Sequence, residues 1–320
     1  MKFKTIFSVL LRPERKAKMN KPAKSNVPVT LEGFIEIASQ GVGESTATNY
    51  HTALRSFLLF NDGKDITLSA ITADKMKQYE HWLKSRGISN NTISCYLRSL
   101  RAVYNKGIDK RKIRGIHPFK GVFTGDETTV KTSLRPSELK KLRELNLPER
   151  SFISFARDLF LFSFCAMGLP PIDLAHLCHS QIKGDTITYC RRKTGRQVSI
   201  KITKQMREIM EKYRTEDSVF VFPILEHYHY RSFLSLYNRA LNSLGQKIRL
   251  KTRLSSYTSR HSWASLAYEN NIDLPVISQA LGHSNTRTTL LYISKIDNRM
   301  VDKANKRLLG EIFCSPLAKR

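Results

Sequence analysis

"YTSRHSWASLAYENNIDLPVISQALGHSNTRTTLLYIS", at residues 257–294, is the stretch that decides the fold. It holds Arg260 near its start, His283 directly after Gly282, and Tyr292 nine residues after His283. Nine residues at about 100° each place two side chains on opposite faces of one straight helix. If His283 and Tyr292 serve one site, the chain must therefore bend between them.

Local signals predict such a bend. Gly282 is a natural end for the helix LPVISQAL, because glycine takes the left-handed conformation that closes many helices. Ser284 or Asn285 can then cap a new helix. His283 is therefore expected in the bend, and Tyr292 on the second helix or just past it.

The chain is strongly basic. Its 320 residues carry 54 Lys and Arg against 27 Asp and Glu, which gives a net charge of +27. An excess of this size favours a polyanionic partner, with DNA or RNA first and an acidic membrane surface second. The N-terminal apolar run is too short to span a bilayer or to serve as a secretory signal, so a cytoplasmic protein is expected.

The cysteines and histidines do not have the spacing of a metal site. The five cysteines form no CxxC pair, and the stretches HLCH and HYH lack a second ligand pair at finger spacing. We therefore expect free thiols, no metal and no cofactor. The histidines in question are His176, His179, His227 and His229.

The N-terminal part divides into a basic tail over 1–29 and a helical domain over 30–108. Four segments with apolar residues at spacings of three and four each open on a Ser, Thr or Asn cap. They are TLEGFIEIAS from Thr30, STATNYHTALRSFLLF from Ser45, TADKMKQYEHWLKSRG from Thr72 and NNTISCYLRSLRAVYNKG from Asn90.

Residues 109–133 are rich in glycine and interrupted by proline, so they predict an extended interdomain linker with a basic entry. The basic residues at this entry are either a solvated charge run or a strap that contacts DNA phosphates. They are Lys106, Lys110, Arg111, Lys112 and Arg114.

Residues 134–320 predict a second domain that is mainly helical. Ser137 is expected to cap its first helix, and the apolar stretch 152–167 reads as a buried core helix. Polar and apolar residues alternate on both sides of RKTG at 192–195, which indicates a β-hairpin. The fold class is therefore mainly α with a small β-sheet, an α+β fold.

The motifs RHS at 260–262 and LGH at 281–283, the pair TT and the late Tyr292 together resemble the tyrosine recombinases of the phage-integrase family. The resemblance covers nearly the whole chain. Residues 30–108 resemble the SAM-like core-binding domain of that family, and residues 134–320 resemble its catalytic domain. The stretches HPFKGVF and DLAHL are typical of integrases from mobile elements.

The resemblance implies a role for each matching residue. Tyr292 corresponds to the nucleophile that forms a 3′-phosphotyrosine, and Arg260 to an arginine that grips the scissile phosphate. His283 corresponds to a phosphate ligand, and Lys193 to the lysine that protonates the leaving oxygen. Arg191, Arg192 and Arg196 compete with Lys193 for this role, and a solvated turn lysine is the alternative. Arg192 is a further candidate for DNA contact, and Tyr257 stands where a histidine is usual.

One position departs from the family pattern. Pro170 stands where the first phosphate-binding arginine is expected, in the stretch GLPPIDLAHL. Arg157 is the leading candidate to replace it, followed by Arg135. The main expectation is an active recombinase, weakened where the lost arginine is not replaced, and the alternative is a DNA-binding regulator without catalysis. A type IB topoisomerase is a third candidate.

The family resemblance also implies the partners. They are double-stranded DNA and three further copies of the chain, in a tetramer on DNA that forms from monomers in solution, with no membrane. The segment after Tyr292 reads as an amphipathic helix that docks on a neighbouring protomer.

Overall fold

The structure is a computed structural model that describes residues 30–107, 117–127, 129, 131–283, 285–290, 305, 306 and 309. The chain divides into two compact units between Thr129 and Val130. No helix within these described ranges is long and apolar enough to cross a membrane.

Among its described residues, the N-terminal unit contains four α-helices. They are α1 (Leu31–Gln40), α2 (Glu44–Phe60), α3 (Ala73–Ser85) and α4 (Asn90–Gly107). Thr30 and Thr72 cap α1 and α3 through their side chains, as predicted. The second helix instead starts after Gly43, so Ser45 lies inside it and not at its cap.

Residues 117–127 differ from the extended linker predicted over 109–133. Phe119 and Val122 are buried in the core of the N-terminal unit. The hydroxyl of Ser94 on α4 donates to the carbonyl of Gly125 across 2.5 Å. These residues therefore pack on the helical unit, because their apolar side chains complete its core.

The C-terminal unit contains nine α-helices among its described residues. They are α5 (Pro136–Glu144), α6 (Phe152–Cys165), α7 (Pro171–Ala175), α8 (Lys204–Lys212), α9 (Ile224–His227), α10 (Tyr230–Lys247), α11 (Thr258–Glu269), α12 (Leu274–Ala280) and α13 (Thr286–Leu290). The buried helix predicted over 152–167 is confirmed as α6.

The cap predicted at Ser137 is wrong by two residues. Arg135 is the N-cap of α5, and Pro136 takes the first helical position. Proline is favoured there because its missing N–H is not needed in the first turn. Glu138 accepts from the Arg135 backbone N–H across 2.8 Å, which closes the cap.

A three-stranded antiparallel sheet stands between α7 and α8 in the chain, with the order β1 (Ile182–Lys183), β2 (Thr186–Cys190) and β3 (Gln197–Lys201). β2 and β3 pair from Thr186 with Lys201 to Cys190 with Gln197. The hairpin predicted around RKTG is therefore confirmed, and its turn carries Lys193.

Candidate active site

Arg260 lies at the centre of a buried polar cluster in the C-terminal unit. It is on the first turn of α11 and is 1% exposed. Its Nη1 donates to the carbonyl of Gly168 across 2.8 Å, and its Nη2 donates to the carbonyl of Leu281 and to Nε2 of His283. The guanidinium thus joins the turn after α6 to the bend after α12.

Gly168 makes room for this arginine. Its φ is +74°, and a Cβ on it would lie 2.7 Å from the Cα of Arg260. The preceding Met167 also has a positive φ, of 54°, which is uncommon for a residue with a side chain. The turn before Pro170 is therefore shaped to bring a backbone carbonyl against Arg260.

The bend predicted at Gly282 is confirmed. Helix α12 ends before Gly282, which has a φ of +61°, and α13 begins at Thr286. The side chain of Asn285 accepts from the backbone N–H of Arg287 across 2.8 Å, so Asn285 caps α13. His283 lies between the two helices and is 4% exposed.

The contacts of His283 define its tautomer. A guanidinium can only donate, so Nε2 of His283 accepts from Arg260 across 3.0 Å. The proton is then on Nδ1, which donates to Oγ1 of Thr289 across 2.9 Å. Burial, followed by the charges of Arg260, Arg191 and Lys193, lowers the pKa of His283 to about 3. The imidazole is therefore neutral near pH 7.

The β-hairpin holds the bend from the other side. Nη1 of Arg191 donates to the carbonyls of Leu281 and Gly282 across 2.9 and 3.1 Å. Nη1 of Arg196 donates to the carbonyl of His283. Lys193 is exposed at the turn, near enough for its charge to act on His283.

Asp173 on α7 anchors this hairpin. Its Oδ1 accepts from the backbone N–H of Arg192 across 2.9 Å, and its Oδ2 lies 3.7 Å from Nε of Arg191. Burial raises the pKa of this carboxyl, and the Arg192 N–H, Arg191 and Arg260 oppose the rise. The segment that starts at Pro170 thus contributes an acidic group to the cluster.

The two arginines proposed to replace the residue at Pro170 are not in this cluster. Arg157 donates from Nη1 to the carbonyl of Leu145 across 2.7 Å and from Nε to Asp158 across 2.8 Å. Arg135 is bound to Glu138 across 2.9 Å. In the structure, local acceptors therefore hold each guanidinium outside the cluster.

Some of the remaining predicted site residues lie in the described part of the chain, and the others lie outside it. Tyr257 immediately precedes α11 and is 41% exposed. Arg192 is exposed at the hairpin turn, and Lys106 is exposed on α4 with its Nζ 5.6 Å from the centre of the Tyr50 ring. Outside the described residues lie Tyr292, Lys110, Arg111, Lys112, Arg114 and most of the segment predicted as the tail helix.

The sequence analysis considered Arg191 only for the role of Lys193 and missed both its burial against the bend and the part of Thr289. A signal for Arg191 was available, because residues 187, 189 and 191 share one face of a strand and Ile187 and Tyr189 are apolar. The next residue on that face was therefore expected to be buried. Thr289 carries no comparable signal, since its role depends on where His283 points.

A search for metal sites in the described part of the chain finds no group of three His, Cys, Asp or Glu side chains that could hold an ion.

Comparison with known proteins identifies the family. Residues 30–123 match the model of the phage integrase SAM-like domain, and residues 159–299 match that of the phage integrase family. A tyrosine recombinase of Pseudothermotoga lettingae is 25% identical over 284 residues, which cover 83% of this chain and 93% of the relative. The chain belongs to the tyrosine recombinases of the phage-integrase family.

Other comparisons agree with this membership. Tyrosine recombinase XerA of Pyrococcus furiosus is 26% identical, over 91% of this chain and 98% of its own. The fold resembles that of the Tn1549 transposon integrase in complex with transposon right end DNA, at a TM-score of 0.65 and 15% identity over 89% of this chain and 100% of that one. It also resembles a lambda integrase tetramer bound to a Holliday junction, at a TM-score of 0.64 and 17% identity over 85% of this chain and 82% of that one.

Proposed function

We propose that this tyrosine recombinase cuts and rejoins double-stranded DNA at specific sites, as the integrase of a mobile element, through a 3′-phosphotyrosine on Tyr292. The observation that carries the proposal is the cluster of Arg260, His283 and the Lys193 hairpin around Gly282. This cluster brings buried hydrogen-bond donors and positive charge together at His283, nine residues before Tyr292 in the sequence.

The residue types suit phosphoryl transfer. A phosphodiester repels nucleophiles through its negative charge, and a Tyr hydroxyl with an ordinary pKa of about 10 must lose its proton as it attacks. Arginine stays charged and offers a planar fork of donors to the nonbridging oxygens as their charge grows. These requirements assign Arg260 to the phosphate.

Each step breaks one phosphoester bond and forms another, so the number of these bonds does not change. The phenol oxygen of Tyr292 attacks phosphorus and releases its proton to water, the bond to the 5′-oxygen breaks, and the 3′ end remains attached to the enzyme. Lys193 donates a proton to the departing 5′-oxygen. Rejoining reverses these steps with a 5′-hydroxyl of the other duplex, so the bond energy is kept and no nucleotide cofactor is consumed.

His283 is arranged to respond to the phosphate. In the DNA-free protein its Nε2 accepts from Arg260, so it has no proton there to offer. A bound phosphate competes for the guanidinium and adds negative charge, which favours protonation of the imidazole. His283 then donates from Nε2 to a nonbridging oxygen.

DNA-contacting groups and assembly complete the proposal. The candidate phosphate contacts are Lys106, Lys110, Arg111, Lys112, Arg114 and Arg192, and Tyr257 is a further donor beside Arg260. Four protomers exchange strands on DNA, by analogy with the lambda integrase tetramer bound to a Holliday junction. We also propose a cytoplasmic location, where free thiols such as that of Cys165 stay reduced.

The alternative function, DNA binding without catalysis, gains no support from the comparisons. It rested on the loss of an arginine at Pro170, and the curated relatives are recombinases. The two functions differ in one measurable respect, which is whether a covalent protein–DNA complex forms.

Trapping with nicked DNA tests the proposal. Duplexes tiled across the DNA that flanks the gene each carry a nick close to the tested position, so that a short 5′-hydroxyl fragment diffuses away after cleavage. We expect the wild type, but not Tyr292→Phe, to form a covalent complex that survives denaturing gel electrophoresis. DNA binding without a covalent complex in either protein would favour the regulator.

A further inference from the structure

The buried side chain of Arg191 is more than a structural tie. It directly follows β2, is 6% exposed, and lies on the same strand face as Ile187 and Tyr189. Its Nη1 donates to the carbonyl of Leu281, which also accepts from Nη2 of Arg260. Two guanidinium groups therefore meet at one backbone oxygen, beside the bend that holds His283.

The guanidinium of Arg191 keeps donors to spare. Nη1 serves the two carbonyls, whereas Nε is buried without a hydrogen-bond partner among the described residues, 3.7 Å from Oδ2 of Asp173. A buried guanidinium with an unsatisfied donor costs free energy unless a further acceptor arrives. The geometry thus leaves a place for an acceptor next to Arg260.

Charge points to an anionic acceptor. Arg191, Arg196, Arg260 and Lys193 bring four positive charges to the cluster, and Asp173 offsets one of them. Cations in a poorly solvated site repel each other strongly, and an anion between them relieves that repulsion. A phosphate diester has the charge and the nonbridging oxygens to do so.

The backbone at Gly282 lies close to the side chain of Arg191. A Cβ on Gly282 would lie 2.5 Å from Cδ of Arg191 and 2.8 Å from Cγ2 of Val198. Because position 282 has no side chain, Arg191 can pack closely against the backbone of the bend. Through this contact the hairpin, the bend and the arginine form one packed unit.

We propose that Arg191 supplies the second arginine of the phosphate site, in place of the residue replaced by Pro170. Arg191 reaches the scissile phosphate from the hairpin, and Asp173 orients it through Nε. This role rests on the proposed recombinase function. It makes Arg191 a catalytic residue and Asp173 a positioning residue.

Covalent trapping of the full-length chain on nicked DNA tests this role. We expect Arg191→Ala to slow formation of the complex by roughly 100- to 1000-fold, the usual effect of losing one donor to developing charge. Pro170→Arg, added to Arg191→Ala, is expected to recover roughly tenfold or more of that rate, because it returns a guanidinium to the phosphate. Arg207→Ala, which removes an exposed partner of Asp185, is the matched control.

A neutral substrate separates charge recognition from structure. A methylphosphonate at the scissile position replaces one nonbridging oxygen with a methyl group and removes the negative charge. If Arg191 serves that charge, its loss is expected to cost less than about tenfold on this substrate. Arg191→Lys, which keeps a charge on the hairpin, is measured alongside with thermal unfolding of each variant.

The outcomes separate the two proposals. A purely structural role predicts equal losses of rate on the phosphate and methylphosphonate substrates and no rescue by Pro170→Arg, and either result would overturn the role of Arg191. A wild-type rate in Arg191→Ala would also overturn it. Failure of the wild type itself to form a complex contradicts the recombinase function instead.

Discussion

Arg260 donates from Nη2 to Nε2 of His283 across 3.0 Å, and this contact sets the tautomer and the charge of the imidazole. Because Nε2 is an acceptor, Nδ1 carries the proton and donates to Thr289. The histidine is thus held neutral in the absence of DNA, with its pKa lowered to about 3 by burial and by three neighbouring cations. We expect a bound phosphate to reverse the conditions that keep it neutral.

The low pKa of His283 makes folding sensitive to acid. The pKa is about 3 in the folded protein against an ordinary value of 6.5, so the folded state binds fewer protons between those values. The contribution of His283 to stability is therefore complete above about pH 6.5 and decreases as the pH falls toward 3. We expect the difference in unfolding free energy between wild type and His283→Gln to shrink between pH 7 and pH 4.5.

Tryptophan fluorescence in urea measures this difference. The chain has two tryptophans, and Trp82→Phe leaves Trp263 as the reporter of the C-terminal unit. The substitution is made in both proteins, so that other titrating groups cancel in the comparison. A difference that stays constant over this pH range would show that His283 is not held neutral by the fold.

Gly282→Ala is expected to damage both stability and cleavage. The added Cβ overlaps Arg191 and Val198, and the positive φ of 61° adds backbone strain. Gly195→Ala is the matched control, because it has a φ of +68° with nothing within 4 Å of the added Cβ. We expect a loss in unfolding free energy of about 1–2 kcal/mol for the control and about 1–3 kcal/mol more for Gly282→Ala. Equal losses in urea unfolding would mean that the approach of Arg191 is not tight.

Arg157→Ala is expected to leave cleavage unchanged and to lower stability. The side chain is 15% exposed and bonds to Asp158 and to the Leu145 carbonyl. Its removal leaves that carbonyl without this donor, at a cost of about 1–3 kcal/mol in unfolding free energy. Covalent trapping and urea unfolding check the two parts, and a loss of cleavage at wild-type DNA affinity would return Arg157 to the active site.

Lys106→Ala is expected to weaken DNA binding at every sequence and to reduce the salt dependence. Removing one phosphate contact lowers the slope of log Kobs against log salt concentration by about 1. Fluorescence anisotropy from low to moderate salt measures this slope. Lys84→Ala is the control, because Lys84 is bound to Glu80 across 2.6 Å. Equal slopes for Lys106→Ala and the control would remove Lys106 from the interface.

Much of the fold follows from local sequence signals. The caps at Thr30 and Thr72, the hairpin around 192–195 and the end of α12 at Gly282 all depend on residues within a few positions of each other, so each could be predicted. The cap at Arg135 was missed because proline at the first helical position shifted the start of α5.

The active site was only partly predictable, for a physical reason. Motif spacing located Arg260 and His283, but the partners of Arg191 lie 90 and 91 residues away along the chain. The local pattern can indicate that Arg191 is buried, but it cannot indicate which residues Arg191 contacts. The same applies to Arg157. It was expected to bind the phosphate, but in the structure it donates to Asp158 and to the carbonyl of Leu145.

Mass spectrometry of the trapped complex tests the central claim most directly. Trypsin releases the peptide TTLLYISK, residues 288–295, which contains Tyr292. We expect this peptide to carry a nucleotide attached through its 3′-phosphate to the Tyr292 oxygen, and the released fragment to bear a 5′-hydroxyl. A nucleotide on another tyrosine, or one attached through a 5′-phosphate, would contradict the account.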